Sequence, residues 1–147
     1  MKLFTIGYEG ATQPEFIAAL KASGVERVID VRAVPLSRKP GFSKNILASG
    51  LREAGIEYIH LKALGTPPEG REAARKGDYA TLREVYAGQL ELPEALAHMA
   101  ELRELALEKR TCLLCYCREA DKCHRSLLIE ALLEDFEEVD LEPLLVT

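Results

Sequence analysis

Residues 110–125 read RTCLLCYCREADKCHR and bring Cys115, Cys117, Cys123, His124 and Arg125 into one short stretch. Thr111–Tyr116 is an apolar, β-compatible run, Arg118–Lys122 is polar, and from Cys123 the apolar spacing turns helical. A cysteine at a strand end, ahead of a helix N-terminus and beside cations, has what lowers a thiol pKa. Cys115 or Cys117 is therefore a candidate nucleophile, with His124 as its proton carrier. The helix N-terminus itself offers N–H groups to an anion, and Arg125 adds a charge there. Two alternatives stay open. Cys115, Cys117, Cys123 and His124 could gather around a metal, or the cysteines could simply pack. Cys112-x-x-Cys115 has a zinc-knuckle spacing, but residues three apart on a strand face opposite sides. Cys112 thus reads as core, and the reading adopted has no metal and no cofactor.

Such a site needs a sheet edge to stand on, and the rest of the chain supplies one. Lys2–Ile6 reads as a first strand, and Gly7–Gly10 is a turn that leaves Tyr8 and Glu9 at its carboxyl end. Thr12 and Glu15 have capping-box spacing ahead of a helix striped by Phe16, Ile17, Ala19 and Leu20 and closed near Gly24. Val25–Val31 is a second strand. Beyond it the loop 33–42 carries Ser37, Arg38 and Lys39. Asp30 and Arg32, two apart, point the same way if the strand continues. Ser43 is positioned to cap a helix over Lys44–Ala54, and Glu57–Leu61 is a third strand.

Gly65–Asp78 is long, polar and rich in Gly and Pro, which predicts a lid or functional loop. Tyr79–Leu90 and Pro93 to about Glu108 read as helices, the second with Pro93 in its first turn and His98 in a structural place. The helix that begins at Cys123 runs to near Phe136, and Glu138–Leu141 is a last strand. This order predicts an α/β fold: one domain, 1–147, with a mostly parallel sheet of about five strands. Helices would cover both faces in a Rossmann-like, three-layer arrangement. In a parallel sheet the segments after its strands meet at one edge, where ligands bind.

Composition narrows the functional classes. At 147 residues the chain can bury a real core, and its net charge of -5 does not favour nucleic acid as a partner, though a local basic patch is compatible with it. No apolar run reaches a membrane span. The amino terminus lacks a signal-peptide layout, so a cytosolic location with reduced thiols is expected. Amides are scarce (Asn45, Gln13 and Gln89), which leans towards a thermophile.

The motifs TIGYEG, DVR followed by P-x-S-R, Phe42, Leu64-Gly65, and LLCY followed by CHR resemble the bacterial and archaeal domain of unknown function 488 family. The resemblance covers nearly the whole chain in order. It implies a compact α/β domain with motif positions at Gly7, Tyr8, Asp30, Arg32, Pro35, Ser37, Arg38, Cys115, Cys123, His124 and Arg125. Many members carry Glu two residues after the strand cysteine, where this chain has Cys117; if that Glu is catalytic, Glu119 or Glu9 stands in, or the activity differs.

The expected function is an enzyme acting on an anionic, phosphorylated or nucleotide-like small substrate. Arg32, Arg38 and Arg125 would hold the anion, and Cys115, Cys117, His124 and Glu9 would do the chemistry. Tyr8, Asp30, Ser37 and Cys123 would line the site. The alternatives are a non-catalytic module reading a nucleotide or nucleic-acid end, and a Cys/His metal-binding protein.

Overall fold

Alternation along the strands sorts the core into two halves, because successive side chains leave a strand on opposite faces. Leu3, Ile29, Leu113 and Cys115 fall in one hydrophobic cluster, while Phe4, Ile6, Val28, Cys112 and Leu114 fall in the other. Cys112 and Cys115 therefore lie on opposite sides of the sheet, as their spacing requires, and Cys112 is a buried thiol. The computed structural model describes residues 2–116, 124–132 and 136–141.

The strands are β1 (Lys2–Gly7), β2 (Arg27–Asp30), β3 (Glu57–His60), β4 (Thr111–Cys115) and β5 (Glu137–Leu141), and they pair in the order β3-β2-β4-β1-β5. Every pairing is parallel, with Asp30 level with both His60 and Leu114. All strands thus end on the same side. The backbone ladder continues past them, with Tyr8 N–H donating to Cys115 O (3.2 Å) and Glu9 N–H to Tyr116 O (2.9 Å).

Helices α1 (Gln13–Ala22) and α2 (Lys44–Glu53) cover one face through Phe16, Leu20, Leu47 and Leu51. The other face takes α4 (Tyr79–Leu90), α5 (Pro93–Glu108) and α6 (His124–Leu132), through Tyr86, Leu102 and Leu128. Thr12 and Glu15 close the expected capping box, and Gly24, at a φ of 71°, ends that helix in the left-handed region. Among the described residues no helix is long and apolar enough to cross a membrane.

Two local expectations change. The segment 65–78, expected as a loop, contains α3 (Pro68–Arg75) after a 3₁₀ turn at Lys62–Leu64. Its apolar contacts are too few for a periodic signal: only Gly70 and Ala73 are buried, and a Cβ on Gly70 would meet Thr66 and the flank of α4. Ser43 precedes α2 without capping it. Its hydroxyl instead accepts from Ser37 N–H (3.0 Å) and donates to Ser37 O (3.2 Å), which closes the loop after β2 on itself.

Candidate functional site

The carboxyl edge of β2 is built around a buried ion pair. Strand β2 stops at Asp30, and the chain turns so that Arg32 folds back on it. Arg32 Nε donates to both Asp30 oxygens (2.9 and 3.1 Å), Nη2 donates to Oδ2 (2.7 Å), and the Arg32 backbone N–H reaches Oδ1 at 3.0 Å. Tyr58 Oη also donates to Asp30 Oδ2 (2.5 Å). Asp30 is fully buried and Arg32 is 6% exposed, so the two charges neutralise each other out of reach of water. Burial by itself would lower the arginine's pKa, but the hydrogen bonds and charge of Asp30 outweigh it and hold the guanidinium protonated. Burial, and then the charge of Asp30, raise the Tyr58 pKa well above its ordinary value.

Three further contacts lock the loops around this pair. Arg32 Nη1 donates to Phe42 O (2.7 Å) and to Tyr8 Oη (3.2 Å). His60 Nε2 donates to Arg32 O (2.7 Å), and His124 Nε2 donates to Val31 O (2.7 Å), so a carbonyl acceptor sets which ring nitrogen carries hydrogen in each. Gly65 touches the same turn: a Cβ there would lie 2.2 Å from Ala33 N, which only glycine avoids. Tyr8 stacks on Phe42 with ring centroids 4.4 Å apart and meets Tyr116 edge-on at 5.4 Å.

Above this floor opens a cavity of about 900 Å³, within the size range of small-molecule sites. Tyr8, Glu9, Arg32, Ser37, Arg38, Cys115 and His124, all expected from the sequence, line it. Three stretches that follow strands, 8–10, 32–38 and the pair Cys115 and His124, converge there, whereas 60–65 does not reach the lining. Asp30 lies one layer below, as the partner of Arg32. Glu9 lines the cavity and does not pair with Arg32. Cys117, Cys123 and the loop 118–122 lie outside the described residues, as does the side chain of Arg125.

The structure also corrects the expected state of the thiols: Cys115 is disulfide-bonded. Its thiolate exists only in the reduced chain. His124 is buried and held by Val31 O on one side and by the Tyr86 ring, 5.1 Å away, on another. It therefore anchors the start of α6 against the loop after β2.

Sequence reasoning missed the opposite wall, which comes from α3 and the start of α4: Thr66, Arg71, Arg75 and Tyr79. The signal was present. Arg71, Ala74 and Arg75 stand at i, i+3 and i+4, which is one face of a helix. Arg75 pairs with Glu72 at the surface (2.5 Å). Among the described residues Arg71 Nε is buried without a hydrogen-bond partner. Arg38 has no ion pair among the described residues.

The chain matches the model of a domain of unknown function, DUF488, over residues 12–132, and it belongs to that family. No curated protein and no solved structure matches it.

Proposed function

We propose that the protein binds a small phosphorylated anion in the cavity at the carboxyl edge of its sheet and acts on it there. One observation carries the reading. In a chain of net charge -5, the described lining of the cavity holds four arginines (Arg32, Arg38, Arg71 and Arg75) against a single carboxylate, Glu9. Asp30 neutralises Arg32, which makes Arg32 a clamp on the floor more than an anion ligand. Arg38 and Arg71 supply the uncompensated charge. The orphaned Nε–H of Arg71 is a donor that a phosphate oxygen would satisfy. The parallel sheet supports the same location, beyond the strand ends, and a Rossmann-like layering would favour it too.

Within that site Glu9 and His124 are the candidate proton carriers, and Cys115, in the reduced chain, is the candidate nucleophile. Cys117, Cys123 and Arg125 would complete the site from the segment after β4. A cytosolic setting would supply the reductant. The disulfide at Cys115 favours a second reading, a non-catalytic binding module that uses the same cations.

Calorimetric titration with inorganic pyrophosphate tests the shared premise. Binding is expected in the wild type, weakened about tenfold in Arg71→Gln and in Arg38→Gln, as loss of one charge-assisted hydrogen bond implies. Absence of binding at millimolar pyrophosphate overturns it, and so does binding that neither substitution changes.

A further inference from the structure

An inorganic anion needs charge and donors, yet this cavity also has apolar walls. Val34, Leu36, Tyr79 and Tyr116 are among the large apolar side chains that the fold leaves exposed, at 46%, 72%, 40% and 53%, and all four line the same cavity. Ile46, Leu92, Leu96 and Leu107 are exposed elsewhere and do not. Exposed apolar surface gathered around a polar cavity marks a ligand with an apolar part. The volume agrees, since about 900 Å³ is far more than one phosphate group fills.

Two of the four side chains are aromatic, and one is held in advance. Tyr116 meets Tyr8 edge-on, with an interplanar angle of 82°, and Tyr8 lies flat on Phe42 at 8°. Tyr8 and Phe42 are buried, so a fixed aromatic column presents a half-exposed ring at the rim. A ring positioned before the ligand arrives loses little entropy on stacking. Tyr79 opens α4, where Asp78 caps the helix by accepting from Thr81 N–H (3.2 Å). It follows Arg75 by four residues, so the cationic wall runs directly into the aromatic one.

We infer that the ligand is a nucleoside phosphate, its base on Tyr116 and Tyr79 and its phosphates on Arg38 and Arg71. The inference rests on the anion reading above and names its ligand class. Charge selects this occupant over an apolar protein surface, because the cations and the rings share one concavity. The net charge of -5 selects a free nucleotide over a nucleic-acid strand. Base stacking on an aromatic side chain accepts any base, so no single base is implied.

Titration of the full chain with pyrophosphate, adenosine diphosphate and uridine diphosphate tests this. Both nucleotides are expected to bind roughly tenfold or more tightly than pyrophosphate, the range that base stacking supplies. Tyr116→Ala should remove that advantage and leave pyrophosphate affinity unchanged; Tyr79→Ala, at a separate exposed position, should reduce it independently. Equal affinity for pyrophosphate and both nucleotides overturns the inference while leaving the anion reading intact. No binding of any of the three overturns both. A 5′-phosphorylated oligonucleotide binding more than about tenfold tighter than either nucleotide overturns the assignment to a free nucleotide. A dimer in sedimentation that Tyr116→Ala dissociates also overturns it, because a second copy would then cover the rings.

Discussion

Arg27 and Arg32 stand at opposite ends of β2, and both are nearly inaccessible, at 4% and 6% exposure. Their counter-charges differ. Arg27 donates to Leu105 O (2.8 Å) and reaches Glu57 (2.9 Å) and Glu108 (3.4 Å), whose side chains are largely in water. Arg32 meets Asp30, which has no exposure at all. At the amino edge the guanidinium is a plug between strand and helix, and its partners can return to solvent without penalty. At the carboxyl edge neither charge can be relieved by water, and a cavity opens directly above the pair. Burial of a cation is therefore a weak sign of function. What marks the site is a counter-charge buried with it and further cations left facing space.

The strongest way to break this comparison is Asp30→Ala. It strands Arg32 as an uncompensated buried charge, and about 3–5 kcal/mol of stability should be lost in urea denaturation. A loss no greater than that of Arg27→Met would erase the difference between the two edges.

Tyr58→Phe sharpens it at intermediate size. A hydrogen bond to a charged group contributes about 1.5–3 kcal/mol, and Tyr58 gives one to Asp30. The folded-state pKa of Tyr58 is raised, whereas the unfolded chain ionises near its usual value of about 10. The contribution is then complete below about pH 10 and falls as the pH climbs towards the raised value. The gap between wild type and variant should narrow in alkali. Tyr86, whose pKa burial also raises, contributes the same slope to both proteins. A gap independent of pH up to alkaline conditions would argue against the contact.

Arg27→Met should be the mildest, at about 1 kcal/mol, because the glutamates it releases are already exposed. Partial burial pushes the Glu57 pKa up, but Arg27 and then Lys109 outweigh it and the net direction is down. This contribution is present above the ordinary carboxylate value and disappears as the pH falls through the depressed one. Thermal unfolding across that acid range should show the wild type approaching the variant. A constant difference would mean that Arg27 acts by packing alone.

Local chemistry made much of this legible in the chain. The capping box at Thr12 and Glu15 depends on residues three apart, and the opposite facing of Cys112 and Cys115 follows from strand geometry alone. Helices α4 and α5 carry enough apolar residues to declare themselves, and the segments after the strands had to share an edge once the sheet was parallel. Segment α3 carries no such pattern. It is helical because Gly70 and Ala73 fit against α4, a contact that exists only once both are folded. Ser43 was a plausible cap by type and position, but the turn at Ser37 came within reach of its hydroxyl and took it.

The deeper split is between which groups are present and which of them are already satisfied. From the order of residues, Arg32, Arg38, Asp30 and Glu9 were all candidates for one charged cluster. Only the folded chain decided that Asp30 takes Arg32 while Glu9 does not, and that Arg71 enters from the far wall with its Nε–H unpartnered among the described residues. It also placed Cys115 in a disulfide. Side-chain type and periodicity act over a few residues and survive in the sequence, whereas charge pairing depends on distances between segments and on water being excluded from between them.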